Sequence, residues 1–194
     1  MGQLWYEVLQ LQANLSPSDI AQRLDEAQQT QLILAMHPHG IVPFQAVLWS
    51  AYCHQYFQDT ADPTRALYGF GAAADIVQHV PLLRNLLAWL TAGGAAYRTL
   101  REGLVEGKCA SANPRTPRHL FILPGGIAEI FVSTPGRHAI VFNSRKGLVR
   151  LSLETGARLV PCYVFGGTDF FHNLATSQSP LARLSRYVRA GVNF

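Results

Sequence analysis

Short apolar runs alternate along the chain with longer stretches in which apolar residues recur every three or four positions. Short runs of this kind, bounded by proline, glycine or polar residues, are typical of buried strands, although periodicity alone does not distinguish them from buried helical segments. We predict strands at 31–36, 65–71, 119–123, 138–142 and 158–166.

The longer stretches carry signals for the start and end of helices. Ser16 or Ser18 can cap the first helix, Pro81 can begin another, and Gly156 can end the last. We predict helices at 16–29, 41–57, 81–91, 97–107 and 145–156. Strands that alternate with helices predict an α/β fold with a mostly parallel central sheet flanked by helices, formed by one domain over 1–194.

Composition narrows the functional classes. Charged residues make up 14% of the 194 residues and hydrophobic residues 48%, whereas soluble domains usually carry about 25% charged residues. The net charge of +4 suits an anionic cofactor or a lipid surface. Nucleic acid is not expected as a partner, because the chain has no dense cluster of lysine and arginine interleaved with aromatic residues.

Cysteine usage and targeting signals bear on the compartment. The three cysteines are widely spaced and form no disulfide framework or paired metal motif, which favours a reducing compartment. The N-terminus has no signal-peptide pattern. The most apolar segment, 80–96, is interrupted by Arg84 and Asn85, so no transmembrane helix is predicted.

Chemically unusual residues follow two of the predicted strands. His37-Pro38-His39-Gly40 comes after the strand at 31–36, and Pro124-Gly125-Gly126 with Glu129 comes after the strand at 119–123. Ligands of α/β sheets bind at the carboxyl ends of the strands. A neutral imidazole is a good general base near pH 7, and a carboxylate bonded to it fixes its tautomer. The glycine amides are candidates to bind an oxyanion or a phosphate.

Other interpretations apply to each motif alone. A single histidine at a strand end is usually a surface or core residue, and the two histidines together could be metal ligands. A zinc site needs further ligands, and no third histidine or cysteine lies at a typical spacing. A Pro-Gly-Gly sequence by itself is commonly a turn, and a lone Glu129 is commonly exposed.

Taken together, the motifs resemble the type-2 diacylglycerol acyltransferase family, with its monoacylglycerol and wax-alcohol acyltransferase relatives. The resemblance covers roughly 31–172 and rests on four blocks in the family's order and spacing. These blocks are His-Pro-His-Gly at 37–40, "PLLR" at 81–84, Gly-Gly-x-x-Glu at 125–129 and "RKGLVRLSLETGARLVPCYVFG" at 145–166. Where the family has Phe-Gly-Glu, this chain has Phe165-Gly166-Gly167. We expect the chain to lack the family's N-terminal membrane hairpin and a C-terminal region.

The resemblance implies a glycerolipid-acyltransferase-like fold and an acyl-CoA-dependent O-acyltransferase that converts diacylglycerol to triacylglycerol. In this scheme His39 is the general base, Glu129 orients it, and His37 supports the loop or substitutes as the base. Acyl-CoA is a co-substrate, and neither a further cofactor nor a metal is required. Monoacylglycerol or a long-chain alcohol is the alternative acceptor, and an inactive lipid-binding relic or a hydrolase or metal enzyme using the two histidines is an alternative class.

Three basic residues are candidates to bind the phosphates of CoA. Arg145, Lys146 and Arg150 lie at and after the start of a predicted helix, and a solvated basic helix face explains them equally well. The resemblance and the low charge fraction predict association with the cytosolic face of the endoplasmic reticulum membrane or with lipid droplets. We expect Val42, Phe44 and the helix at 81–91 to form an apolar wall of the active-site cleft.

Overall fold

A computed structural model describes residues 16–49, 69–109, 119–143, 145–173 and 175–188. Within these ranges, five strands form one sheet in which every pair of neighbours is parallel. The strands are β1 (Leu32–His37), β2 (Gly69–Ala73), β3 (Ala92–Gly94), β4 (His119–Ile122) and β5 (Arg158–Tyr163). Their order across the sheet is β3-β2-β4-β1-β5. The predicted α/β class with a mostly parallel sheet is confirmed.

Six helices accompany the sheet within the described ranges, besides a helical segment over 44–49 and a 3₁₀ helix over Asp75–His79. They are α1 (Pro17–Gln29), α2 (Pro81–Trp89), α3 (Tyr97–Cys109), α4 (Gly126–Ile130), α5 (Lys146–Thr155) and α6 (Pro180–Val188). Local chemistry sets their ends: Ser16 caps α1 in a capping box with Asp19, and Gly156 ends α5 with a φ of +69°.

Strand β1 is buried on both faces, as expected for a strand of a parallel sheet covered by helices. Leu32, Leu34 and Met36 pack on one side with Leu24 and Ala27 of α1. The alternate residues pack on the other side against α3 and α5; this second core contains Ile33, Ala35, Leu100, Leu104, Leu148 and Leu151. The sheet therefore lies between two helical layers, and His37 follows the alternation onto the α3/α5 side.

The predicted strand at 138–142 is wrong. These residues form no strand, and the nearest bridge joins Thr134 to Arg137. The amide of Val141 donates a hydrogen bond to a side chain of the functional site instead of to a neighbouring strand. A strand also needs a partner for its backbone, which an apolar β-branched run cannot guarantee.

Parts of two further predictions lie outside the described residues. The strand predicted at 65–71 is described from Gly69 onward, and the helix predicted at 41–57 is described over 44–49. Strand β3 and helices α4 and α6 have no counterpart among the predicted elements.

Candidate active site

The two sequence motifs leave the sheet from neighbouring strands. Strands β1 and β4 are parallel and adjacent, with Ala35 paired to Ile122. His37 ends β1, and the Pro-Gly-Gly sequence follows the end of β4. Because the carboxyl ends of parallel strands meet at the same edge, the fold brings the motifs together. The turn after β1 contains a cis peptide bond between His37 and Pro38.

Glu129, on the short helix α4, connects three segments of the site. Its Oε1 lies 2.8 Å from Nδ1 of His37 and accepts a 2.9 Å hydrogen bond from the Val141 amide. Its Oε2 accepts a 2.6 Å hydrogen bond from the backbone amide of His39. The side chain is fully buried. Burial of a carboxylate is costly unless hydrogen bonds satisfy its oxygens, and these three contacts do so.

The contacts also determine the charge of Glu129. Burial by itself raises the pKa of this carboxyl, but the hydrogen bonds from His37, Val141 and His39 outweigh that effect, so the net shift is downward. The group is therefore ionised at neutral pH. An ionised carboxylate only accepts hydrogen bonds, so we assign the proton of the His37 contact to Nδ1 of the imidazole.

In the neutral form of the His37 imidazole, a proton on Nδ1 leaves the lone pair on Nε2. This atom is buried and has no hydrogen-bond partner among the described residues, and the residue as a whole is 7% exposed. The ring of Phe142 packs against the imidazole edge-to-face, with centroids 5.7 Å apart. A buried nitrogen without a partner costs free energy and is a place where a ligand hydroxyl would gain a hydrogen bond.

His39 differs from His37 in its surroundings. Glu129 contacts the His39 backbone rather than its ring, and the ring Nδ1 lies 2.9 Å from the Gly40 carbonyl. A carbonyl only accepts, so Nδ1 carries the proton and Nε2 the lone pair. Burial lowers the pKa of His39, and the Gly40 carbonyl and Glu129 oppose this only in part. The residue as a whole is partly exposed, and its ring is neutral at pH 7 because its pKa is lowered.

Three glycines of the site lie where a side chain would clash or strain the backbone. A Cβ at Gly125 would overlap the carboxyl group of Glu129. Gly126 and Gly40 have φ of +51° and +71°, which disfavours a side chain, and a Cβ at Gly40 would lie 2.7 Å from the Gly167 carbonyl oxygen. Gly125 therefore has a steric role beside Glu129, in addition to the anion-binding role predicted for the pair.

Gln45 is a site residue that the sequence analysis missed. It is buried, and its Nε2 donates to the carbonyls of Pro38 and His39 at 2.8 and 2.9 Å. Both amide protons thus hold the histidine turn in place. The sequence feature that could have indicated this role is the position of a polar residue inside the apolar run 41–57. The Val141 amide had no such signal, since backbone donors are the same at every non-proline residue.

The basic residues proposed for CoA binding lie in different surroundings. Arg145 Nη2 donates a 2.7 Å hydrogen bond to the Gly125 carbonyl, which places this cation beside the glycine pair. Lys146 is exposed at the start of α5. Arg150 forms an ion pair with Glu154 at 2.7 Å and lies over the Tyr97 ring. The structure brings Arg145 to the site, whereas the contacts of Arg150 face α3.

The apolar wall expected from Val42, Phe44 and the helix at 81–91 stays a prediction, and the surroundings of these residues are as follows. Phe44 stacks with Phe171 and meets Phe170 edge-to-face, at centroid distances of 6.0 and 5.5 Å. Val42 is exposed. Helix α2 has no buried residue. Within the described ranges, no helix is long and apolar enough to cross a membrane, and no group of three or more His, Cys, Asp or Glu side chains could hold a metal ion.

Comparison with known proteins gives the family. The diacylglycerol acyltransferase family model matches residues 4–190. Diacylglycerol O-acyltransferase 2 of Bos taurus is 30% identical over 161 residues, covering 78% of this chain and 39% of the relative. Diacylglycerol O-acyltransferase 1 of Schizosaccharomyces pombe is 27% identical over 159 residues, covering 80% and 41%.

A third relative is diacylglycerol O-acyltransferase 2-like protein 6 of Bos taurus, 26% identical over 166 residues, with coverage of 84% and 45%. The chain thus spans less than half the length of each of these curated relatives. No solved structure matches it. The family match agrees with the four sequence blocks, and the chain belongs to the type-2 diacylglycerol acyltransferase family.

Proposed function

We propose that this chain is the acyl-transferring part of an acyl-CoA-dependent diacylglycerol O-acyltransferase. The observation that carries the proposal is the buried contact between Glu129 and Nδ1 of His37, which leaves Nε2 of the ring without a partner among the described residues. A histidine oriented by a carboxylate is the arrangement that activates a hydroxyl nucleophile. The names of the curated relatives support the same reaction class.

In the proposed reaction, His37 Nε2 takes the proton of the acceptor hydroxyl as its oxygen attacks the thioester carbonyl of acyl-CoA. Glu129 stabilises the positive charge that develops on the imidazole. The tetrahedral intermediate then collapses, the carbon–sulfur bond breaks, and the proton passes from Nε2 to the CoA sulfur. The products are triacylglycerol and free CoA, and His37 returns to its starting form.

His39 is the second candidate for the base. His39 as a whole residue is partly exposed, whereas Nε2 of His37 is covered by protein. The lowered pKa of His39 keeps the imidazole neutral and able to accept a proton. In that version, Glu129 acts on His39 through the backbone amide and positions the ring rather than stabilising its charge.

For the phosphates of CoA we propose Arg145 and Lys146, near Gly125 and Gly126. Arg145 Nη2 donates to the Gly125 carbonyl, which holds the cation beside the glycine pair, and its buried Nε has no partner among the described residues. Arg150 is the weaker candidate, because Glu154 already neutralises it.

We also propose that the protein acts at the cytosolic surface of the endoplasmic reticulum membrane or of a lipid droplet, where diacylglycerol resides. Large apolar side chains of α2 face outward, with Leu82 82% and Trp89 77% exposed. A contiguous exposed apolar surface of this kind is typical of a contact with lipid or protein.

The test measures transfer of labelled oleoyl groups from oleoyl-CoA to diacylglycerol, monoacylglycerol and a long-chain alcohol. The protein is supplied in membranes from cells that make no neutral lipid of their own. We expect triacylglycerol as the main product, and His37→Asn, which retains an N–H for Glu129, should lower turnover by about 10²–10⁴-fold. His79→Ala, on the exposed 3₁₀ helix, is the matched control.

The outcomes separate the candidates. If the wild type esterifies none of the acceptors, the proposed activity is refuted. Preferred use of monoacylglycerol or the alcohol would change the acceptor class but not the chemistry. Wild-type rates in His37→Asn, together with loss in His39→Ala, would make His39 the base.

A further inference from the structure

Three residues of the segment 138–142 make contacts at or beside the candidate active site. The amide of Val141 donates to Glu129, Phe142 packs on the His37 ring, and Nδ1 of His138 lies 2.9 Å from the Tyr163 hydroxyl. His138 lies outside the four sequence blocks, and Tyr163 lies within the fourth, at 145–166, but neither residue had a predicted role in the site. The segment was predicted as a strand, yet its contacts go to side chains of the site.

Tyr163 lies directly beside His37 in the sheet. Strands β1 and β5 are parallel, the two residues pair in register, and the Val164 amide donates a 2.7 Å hydrogen bond to the His37 carbonyl. Paired residues of neighbouring strands are about 5 Å apart and point to the same face. The Tyr163 side chain therefore emerges next to the His37 imidazole, on the side where the segment 138–142 crosses.

The contact between His138 and Tyr163 is supported by ring packing. Phe165 lies 4.8 Å from the Tyr163 ring and 6.3 Å from the His138 ring, measured between centroids. All three residues are exposed, so burial alone does not hold them together. Aromatic pairs of this kind attract each other beyond the effect of the area they bury.

Backbone hydrogen bonds hold the two ends of the segment. Arg137 bonds back to Thr134 at 3.0 Å, and the Arg145 amide bonds to the Phe142 carbonyl at 2.8 Å. Between these ends, the described side-chain hydrogen bonds include one that joins the segment to the sheet, namely that of His138. This contact is therefore a candidate to fix the placement of the Val141 amide on Glu129.

We propose that His138 and Tyr163 are positioning residues that fasten the segment 138–142 to the end of β5 and so keep the Val141 amide on Glu129 and Phe142 on His37. The inference rests on the proposed function, because what it positions is the proposed His37–Glu129 pair. When the connection is lost, the Val141 amide exchanges its carboxylate partner for water, and the imidazole loses the ring that fixes its edge. A misplacement of about 1 Å can lower a rate about 10²-fold.

The experiment compares Tyr163→Phe, which removes one hydroxyl and keeps the ring, with Tyr97→Phe. The control removes a hydroxyl that bonds Glu154 at 2.7 Å between α3 and α5. We expect Tyr163→Phe to lower kcat by about tenfold to a hundredfold while KM for acyl-CoA stays within about twofold. The Val141 amide should exchange with deuterium faster, and Tyr97→Phe should change neither quantity.

Two further variants test whether the two side chains act together. His138→Phe should lower kcat as much as Tyr163→Phe, and the double variant no further, because each removes the same bond. His138→Gln, which keeps a hydrogen-bonding group, should recover part of the rate.

Unchanged kcat in Tyr163→Phe, losses that multiply in the double variant, or unaltered exchange at Val141 would each overturn the inference. Deuterium exchange at the Val141 amide is measured without substrate. An inactive wild type would therefore refute the proposed activity, while the exchange rates would still test the positioning role of His138 and Tyr163.

Discussion

At the scale of single residues, the motifs predicted which side chains meet but not how. The positions of the two blocks at strand ends predicted that Glu129 lies near both histidines. In the structure its carboxylate contacts the ring of His37 and the backbone amide of His39. This pair of contacts depends on the path of the turn through Pro38, which residue type alone does not reveal. Gln45 and the Val141 amide escaped prediction because their roles are set by three-dimensional proximity.

Substitution of Gly125 tests the packing around Glu129. A Cβ there would overlap the Glu129 carboxyl, whereas a Cβ at Gly147 in helix α5 meets nothing within 4 Å. We expect Gly125→Ala to lower the free energy of unfolding by about 1–3 kcal/mol, as overpacking does. Gly147→Ala should raise it by about 0.5–1 kcal/mol, because alanine suits a helix better. Denaturant unfolding of both variants measures the contrast, and equal effects would contradict the described geometry.

The low pKa of Glu129 predicts how stability responds to acid. A carboxyl whose folded pKa lies below its unfolded value stabilises the protein above the unfolded pKa, and this contribution is lost as the pH falls through the folded pKa. For Glu129 the loss therefore starts below about pH 4.5, its reference value. Urea unfolding at a series of pH values should show a smaller acid loss in Glu129→Gln than in the wild type.

His39 makes a second pH-dependent contribution to stability, which can be compared with that of Glu129. Its pKa is lowered from 6.5, so the unfolded chain takes up a proton first, and stability falls as the pH drops below about 6.5. His39→Asn should remove the loss of stability that begins near pH 6.5 and keep the loss that begins near pH 4.5. A Glu129→Gln variant with the full acid sensitivity of the wild type would show that the carboxyl is not stabilised in its ionised form.

At the scale of elements, prediction succeeded where burial is continuous and failed where it is not. The run "LILAMH" became β1 with every residue buried, since an unbroken apolar run suits a strand covered on both faces. The run "HAIVF" has similar residue types, but its amide at Val141 serves Glu129. Strand β3 consists of Ala-Gly-Gly and α4 begins with glycine. Neither segment therefore has residue types that favour the secondary structure it adopts.

At the scale of the whole molecule, the alternation of predicted strands and helices was enough to predict the fold class, but it did not predict the order of the strands in the sheet. Strand β4 lies between β2 and β1, so strands distant in sequence become neighbours. Hydrophobic patterns indicate that a strand is buried, and they carry little information on which strand lies beside it. The site depends on that order, because it unites the ends of β1 and β4 with the end of β5.

The surface of the whole molecule leads to the last prediction, binding to lipid. Besides Leu82 and Trp89, helix α2 exposes Leu83 and Leu86, and the chain carries a net charge of +4. An apolar surface on a basic protein suits a bilayer with anionic headgroups. We expect the protein to sediment with phosphatidylcholine vesicles, more so when they contain phosphatidylserine, and to be released by detergent.

Paired variants assign that binding to α2. The double substitution Leu82→Gln and Trp89→Gln should lower the vesicle partition coefficient by about tenfold or more, since burying each side chain is worth about 1.5–3 kcal/mol. The control is Leu153→Gln with Tyr187→Gln, on α5 and α6, whose side chains are similarly exposed at 78% and 87%. Because the control removes comparable apolar area elsewhere, it should leave partitioning nearly unchanged. Equal losses in both double variants would assign the binding to general surface hydrophobicity, and a wild type that stays in the supernatant would refute it.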